Sequence, residues 1–270
     1  MKAIMKSESK VSVVLSAYNE ETTIQNTLRS ILNQTYTNIE IILVNDHSTD
    51  NTYNVLEKLN LKNLIYILNP KNLGLTRSLN IGITRASGKY ICRIDAGDTF
   101  DMIKIEKQVD YLEKNEDYGI VGTWAKFFSS DGSYLYTLKT PEDDEAIKRV
   151  ISDQTILIHP TVLIRKKLFD KYGLYDESYV TGQESELWIR FAEHTKYFNI
   201  QEPLVSCLHS ASSISYRKVK QQIIDSIKIK FNEGLSISSV IFICLRIPLL
   251  LIPVSLINIL RKTRYRLKYE

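Results

Sequence analysis

Residues 90–100 read YICRIDAGDTF, and the way this stretch ends decides the fold. An apolar-leaning run stops abruptly at two acids, Asp95 and Asp98, with Ala96 and Gly97 between them. Carboxylates at the end of a buried strand are costly unless they are paired, solvated or bound to a cation. They make sense at a rim where ligands bind. Working outward, GLTRSLNIGITRA precedes the stretch and puts Leu75, Leu79 and Ile83 on one helical face. DMIKIEKQVDYLEKN follows it and does the same with Ile105, Val109 and Leu112.

Further toward the N-terminus the alternation repeats. KVSVVLSAYN, IEIILVND and NLIYILN are apolar strands, separated by the helical stretches EETTIQNTLRSILNQ and STDNTYNVLEKL. Four strand–helix repeats with continuously apolar strands are the pattern of a parallel sheet covered on both faces. Ligands of such sheets bind beyond the carboxyl ends of the strands. Tyr18, Asn19 and Glu20 follow the first strand, Asn45 and Asp46 the second, and Asp95 and Asp98 the fourth. Beyond residue 118 the alternation weakens. GIVGTWAKFF and TILIHPTVLIR predict further strands, and ESELWIRFAEH predicts a short helix with Trp188 and Phe191 toward the core.

The chain has 270 residues, 44% of them hydrophobic, enough for one large α/β domain with an appendage. A net charge of +4 is too weak to argue for nucleic acid. Cys92, Cys207 and Cys244 are far apart, which points to reduced thiols and a cytosolic chain. The N-terminal MKAIMKSESK has no apolar core of a secretory signal. From about residue 217 the character changes. RKVKQQIIDSIKIKF is basic and amphipathic, VIFICLRIPLLLIPVSLINIL covers 240–260, and the basic RKTRYRLKYE ends the chain. The apolar run has about the length of a membrane span, roughly 20 residues, but Arg246, Pro248, Pro253 and Asn258 interrupt it. The expectation is an interfacial anchor on an anionic leaflet. A true span and helices packed on the domain are the alternatives. The predicted division is a catalytic domain over 1–215 and a helical, membrane-associating region over 216–270.

A doubly wound sheet hosts many functions, so the site must decide. There is no GxGxxG after the first strand and no GxxxxGK[ST] anywhere, which argues against a dinucleotide fingerprint and a P-loop. Two carboxylates three apart suit a hard divalent cation bridging a diphosphate. The competing reading is a polar turn in which Asp98 caps the next helix.

VSVVLSAYNEETTIQNTLRSILNQTYTNIEIILVNDHSTDNT, NLGLTRSLNIGITRASGKYICRIDAGD, HPTVLIRKKLFDKYGLYDE and GQESELWIRF, in this order and spacing, resemble glycosyltransferase family 2. The resemblance covers about residues 11–215. It implies a GT-A, Rossmann-like α/β fold with a mostly parallel sheet, and inverting transfer from a nucleotide-diphospho-sugar, by family habit a UDP-sugar. By the same resemblance Ala17, Tyr18, Asn19, Glu20 and Asp46 hold the nucleoside; Asn72, Arg77 and Arg93 are further candidate donor contacts, with a solvated helix face as the alternative for Asn72 and Arg77. Asp95 matches the first acid of the family's Asp-x-Asp element for Mn²⁺ or Mg²⁺ and the diphosphate. Asp98 and His209 are the other metal candidates, and Glu184 occupies the position of the general base. Gly97 stands where the family usually has the second acid. Either Asp98 takes that role, or the metal rests on Asp95 and the diphosphate, or metal dependence is weak. Cys207 replaces a usual arginine. The implied acceptor is a saccharide or lipid-linked saccharide in surface polysaccharide synthesis at the cytoplasmic face of the membrane. The contrasting reading is a catalytically inactive nucleotide-sugar-binding subunit. His159 and Trp188 are read as structural.

Overall fold

The computed structural model describes residues 9–59, 61, 63–151, 157–209, 218–234, 237–254 and 256–257. The N-terminal eight residues, the segment 210–217 that holds the expected domain boundary, and the basic tail beyond 257 lie outside the described residues.

The β-branched runs form the expected parallel strands. β1 (Val11–Ala17) lies between β2 (Ile39–Asn45) and β4 (Tyr90–Arg93), and β3 (Leu64–Leu68) flanks β2. Alternation along β1 sends its side chains to two cores. Val11, Val13 and Leu15 pack with Ile24, Leu28 and Ile31 of α1 (Ile24–Leu32) and with Ile105, Val109 and Leu112 of α4 (Lys104–Lys114). Val14 packs on the other face with Leu79 and Ile83 of α3 (Leu75–Arg85). α3 approaches very closely, because a Cβ at Gly82 would lie 2.6 Å from Val14 Cγ1. α2 (Thr52–Leu59) contributes Leu56 to the first core. Helices therefore cover both faces.

Beyond β4 the sheet becomes mixed. Its order is β3-β2-β1-β4-β8-β6-β9-β5, with β7 (Tyr134–Leu138) paired to β6 (Tyr118–Ser129). β8 (Leu163–Arg165) runs antiparallel to both β4 and β6. β9 (Lys196–His209) runs parallel to β6, and the two-residue β5 (Thr99–Phe100) pairs with β9. β5 follows β4 after five residues, yet three strands separate them in the sheet. The connection holds a turn closed by Asp98 N–H to Asp95 O at 3.1 Å. The sheet therefore curls, and its far end returns over the carboxyl end of β4. The strand expected over 155–165 is shorter: residues 152–156 are not described, and His159–Thr161 is a 3₁₀ turn. Pro160 has no N–H for a ladder.

The remaining helices are α5 (Asp144–Val150), α6 (Lys166–Tyr172) and α7 (Gln183–Ala192). Trp188 and Phe191 of α7 are buried against the second core, as expected. Near the C-terminus a helix spans Val219–Asn232 and another Ile237–Arg246, followed by a 3₁₀ turn over Ile247–Leu251 with Pro248 at its start. A ten-residue helix is about 15 Å long, half the roughly 30 Å hydrocarbon core of a bilayer. Among the described residues no helix is long and apolar enough to cross a membrane, so a continuous span does not form over them.

Candidate active site

Register builds the site. Ala17 pairs with Asn45, so the loops after β1 and β2 leave the sheet side by side. Polar side chains then lock them together. Asn19, in the left-handed region at φ 58°, donates its N–H to Ser48 Oγ and accepts from Thr49 N–H at 2.8 Å. Glu20 N–H donates to Thr52 Oγ1 at 2.8 Å, and Glu21 accepts from Asn51 N–H at 2.9 Å. Ala17 is buried beneath, Tyr18 is exposed, and Glu20 is half-buried. Burial raises the Glu20 carboxyl; Thr23 opposes this, while the charges of Asp95 and Asp50 add to it. Glu20 thus belongs to the same electrostatic neighbourhood as Asp95.

Asp46 is buried and faces inward. One oxygen accepts from Asn69 Nδ2 at 2.8 Å and Leu73 N–H at 2.7 Å, the other from Gly74 N–H at 2.8 Å. Its carboxylate shapes the 69–74 loop that enters α3. Asn72 is exposed on that loop, and Arg77 on α3 is exposed in an ion pair with Glu177 at 3.0 Å.

At the end of β4, Arg93 is buried and its guanidinium forms a two-bond fork with Asp95, whose side chain is 43% exposed. Arg93 therefore sits beneath the rim and orients the acid. Its charge is engaged by that acid, and its buried Nε has no hydrogen-bond partner among the described residues. Asp98 is turned into the protein. One oxygen accepts from Leu208 N–H at 2.9 Å, and the Cys207 thiol hydrogen-bonds to the carboxyl. Burial first, then the Asp95 charge, push the Asp98 carboxyl up to about 8. Cys207 is raised well above the usual thiol range by burial and by these two acids. Thr27 of α1 pins the intervening turn, donating to Asp98 O at 2.8 Å and accepting from Gly97 N–H at 2.9 Å. Gly97 has φ 101°, a conformation that side-chain-bearing residues rarely adopt. That is the local reason glycine stands where an acid was expected. His209 is exposed at the end of β9, one residue beyond Leu208.

These positions test the metal reading. Among the described residues no three His, Cys, Asp or Glu side chains converge as a metal site. Asp95 has both oxygens on Arg93 but is 43% exposed, so each oxygen keeps a lone pair for a cation at the surface, whereas Asp98 gives one oxygen to backbone and is buried. The donor set fits a cation held by Asp95 with oxygens of a bound diphosphate, since hard divalent ions keep most of their ligands from water and phosphate.

Glu184 enters this cluster from the other side. It lies in the first turn of α7 and is half-buried. Burial raises its carboxyl above the ordinary carboxylate range; its own backbone N–H and the Arg93 charge oppose the rise, and the Asp95 charge adds to it. Tyr175 and His159, which sequence reasoning did not place at the site, lie in the same cluster. Tyr175 Oη and His159 Nε2 are 2.7 Å apart. The His159 imidazole is held well below its usual range by burial and the Arg93 charge. Tyr175 is raised by burial, with Arg93 opposing and Glu184 and Asp95 adding. Tyr175 carried no signal beyond its place in GLYDE. The arrangement is an exposed acid paired with a buried arginine, with a second, partly buried carboxyl in its electrostatic neighbourhood: parts for holding a cation and accepting a proton.

Residues 12–173 match the sequence model of Glycosyl transferase family 2. An uncharacterized glycosyltransferase of Methanocaldococcus jannaschii is 32% identical over 198 residues, covering 71% of this chain and 68% of that protein. The putative glycosyltransferase EpsE of Bacillus subtilis is 31% identical over 229 residues, covering 83% and 81%. Among solved structures, Staphylococcus aureus TarS 1–349 in complex with UDP-GlcNAc superposes at TM-score 0.65 and 18% identity, over 84% of this chain and 68% of that one. The mannosyltransferase PcManGT from Pyrobaculum calidifontis, in complex with GDP-Man and Mn²⁺, superposes at TM-score 0.62 and 16% identity, over 92% and 71%. At these identities the structural likeness is one of fold, and that fold is of the GT-A type.

Proposed function

This chain belongs to glycosyl transferase family 2, and from that membership we propose that it transfers a sugar from a UDP-sugar, with inversion at the anomeric carbon, to a saccharide or lipid-linked saccharide acceptor. The observation that carries the reading is the convergence of Arg93, Asp95 and Glu184 at the carboxyl end of β4. Loops after β1 and β2 cradle the nucleoside, with Tyr18 offering an exposed ring and Asp46 holding the wall behind it. UDP is favoured by family habit; one fold neighbour was crystallised with UDP-GlcNAc and another with GDP-Man. Asp95 would hold a Mn²⁺ or Mg²⁺ ion, which would supply Lewis-acid stabilisation of the departing nucleotide. Arg93 keeps the Asp95 carboxylate oriented through its two-bond fork.

Glu184 takes the proton of the acceptor hydroxyl as its oxygen attacks the anomeric carbon opposite the leaving nucleotide. Burial raises this carboxyl above its ordinary value, which makes its ionised form a stronger base and suits it to the task. The neutral His159 and its Tyr175 partner wall the base off without adding charge. The exposed apolar side chains of the C-terminal helices support contact with a membrane surface, where a lipid-linked acceptor resides. The contrasting reading, an inactive nucleotide-sugar-binding subunit, draws on the buried Asp98 and the glycine at position 97.

The test is thermal melting with UDP, GDP and dTDP, with and without Mn²⁺ or Mg²⁺. A ligand at 100 times its Kd stabilises by about 2.7 kcal/mol. The proposal expects UDP with metal to give the largest shift, followed by turnover of a UDP-sugar. A stabilising nucleotide without any turnover favours the inactive subunit. A well-folded protein that no nucleotide stabilises refutes both.

A further inference from the structure

The segment that delivers Glu184 is held by a helix beyond the region that matches the family model. α7 begins at Gly182, in the left-handed region at φ 71°, with no side-chain cap. The N–H groups of Ser185 and Glu186 both donate to Gly182 O, at 2.9 and 3.2 Å. The direction of this first turn, where Glu184 sits, therefore follows the backbone at 181–182. Thr181 gives both its donors to one oxygen of Asp225, N–H at 2.8 Å and Oγ1 at 2.7 Å. Asp225 lies on the helix Val219–Asn232, is 2% exposed, and accepts on its other oxygen from Gln221 Nε2 at 2.9 Å.

The same helix grips the preceding residues. Asn232 Nδ2 donates to Tyr179 Oη at 3.0 Å, and Lys228 Nζ donates to Ser178 Oγ at 2.8 Å while lying 4.2 Å from the Tyr179 ring centroid. Ile229 Cδ1 is 3.6 Å from where a Cβ on Gly182 would be. α3 holds the opposite side, through Thr76 Oγ1 to Tyr179 O at 3.3 Å and Asn80 Nδ2 to Tyr175 O at 2.9 Å. A carboxylate this buried is a poor device for stability alone, since a well-packed apolar residue serves that end as well or better. Its directional bonds fix one backbone geometry.

We propose that Asp225 is a positioning residue for Glu184, acting through Thr181, so that the C-terminal helix completes the active site. The proposal rests on the reading of Glu184 as the base. It is tested with full-length Asp225→Ala and Asp225→Asn. Asn keeps an acceptor oxygen for both Thr181 donors, and Ala keeps none. Three readouts are taken: the melting shift with UDP and Mn²⁺, steady-state release of UDP from UDP-GlcNAc and UDP-glucose, and hydrogen exchange across 179–186.

A misplacement of about 1 Å lowers turnover by up to about 100-fold. Asp225→Ala is therefore expected to lower kcat by about 10- to 100-fold, with the donor KM and the UDP shift within about twofold of wild type. Exchange over 179–186 quickens. Asp225→Asn is expected within about threefold of wild type. Wild-type kcat in the alanine variant overturns the proposal. So does loss of the UDP shift together with turnover, which marks a general structural role, and so does an asparagine variant as impaired as alanine. If the wild type turns over neither donor, the reading of Glu184 fails separately, and exchange decides the clamp: quickening supports it, and unchanged exchange overturns it.

Discussion

Glu184 in the first turn of α7 and Gly97 in the turn after β4 are one-residue problems with opposite characters. Glu184 is desolvated and faces Arg93 and Asp95. Glu184→Gln keeps shape and removes basicity. General-base loss lowers rate by about 10²–10⁴-fold, so kcat should fall in that range while the UDP-dependent melting shift stays at the wild-type value. Normal turnover in this variant would falsify the base assignment. Gly97 has φ 101°, and the nearest atom to an added Cβ is Leu208 Cδ2 at 3.5 Å. Space is adequate; backbone strain is the obstacle. Gly97→Ala should therefore destabilise by about 1–3 kcal/mol in chemical denaturation, and Gly97→Asp should not strengthen the Mn²⁺ dependence of UDP binding, although it restores the family's second acid. Asp46 and Asp95 were legible in the sequence as acids at strand ends. Their different fates were not, because no local pattern shows that Asp46 turns toward backbone N–H groups at 73–74 while Asp95 stays open on Arg93. Tyr175 was illegible for a related reason: its neighbours Arg93, His159 and Glu184 come from three distant segments.

The elements divide by how much their own residues dictate. β1, β2 and β4 were legible because strands buried on both faces must be nearly continuously apolar, and the half-buried edge strand β3 was legible from its short apolar run. β5 has two residues, β7 lies off the main strand path with Tyr134 and Leu135 exposed, and β9 runs through Pro203 with register shifts against β6 near Trp124. Such strands exist because partners recruit them, so sequence periodicity could not announce them. At the opposite edge of the sheet from the site, elements are tied by Glu40 of β2. It accepts from Ser12 Oγ of β1 at 2.5 Å, from Ser87 N–H before β4 at 2.7 Å, and pairs with Lys10 at 2.7 Å. Burial alone would raise this carboxyl, but the Lys10, Ser12 and Ser87 bonds outweigh it and hold it at about 2. Because the folded value lies below the ordinary 4.5, the stabilisation is complete above about pH 4.5 and is lost as pH falls toward 2. Glu40→Gln should lower stability at pH 7 by on the order of 2 kcal/mol, a figure discounted for partial solvation, and should flatten the melting-temperature curve between pH 5 and about 3. An acid limb as steep as that of the wild type would show that Glu40 does not carry it.

For the whole molecule, the curled sheet gathers the site at one rim, and the helix Val219–Asn232, which packs with the helix after it, lies against the segment that feeds Glu184. Among the described residues those helices also carry exposed apolar side chains: Phe231, Val240, Ile241, Leu245, Ile247 and Leu251, with Leu245 exposed by 70% and Leu251 by 86%. Soluble surfaces rarely gather so many large apolar groups without a use for them. The sequence runs on into Arg261, Lys262, Arg264, Arg266 and Lys268, outside the described residues. Apolar insertion beside a basic segment is the physical recipe for seating on an anionic leaflet, with each near-surface cation worth about 1 kcal/mol. The protein should therefore sediment with phosphatidylglycerol vesicles, bind phosphatidylcholine vesicles more weakly, and release as salt rises past about 0.5 M, where the Debye length shrinks to a few ångströms. Burying a leucine contributes about 1.5–3 kcal/mol, so Leu245→Glu with Leu251→Glu should weaken vesicle binding by at least about 100-fold. Turnover of a water-soluble acceptor should be unchanged, because neither side chain belongs to the clamp around Thr181. Two results would refute the membrane role: wild-type protein that stays in the supernatant with anionic vesicles, or a double variant that sediments as the wild type does. If the same two substitutions instead convert a dimer to a monomer in size-exclusion chromatography without altering vesicle binding, the apolar face serves a second copy of the chain.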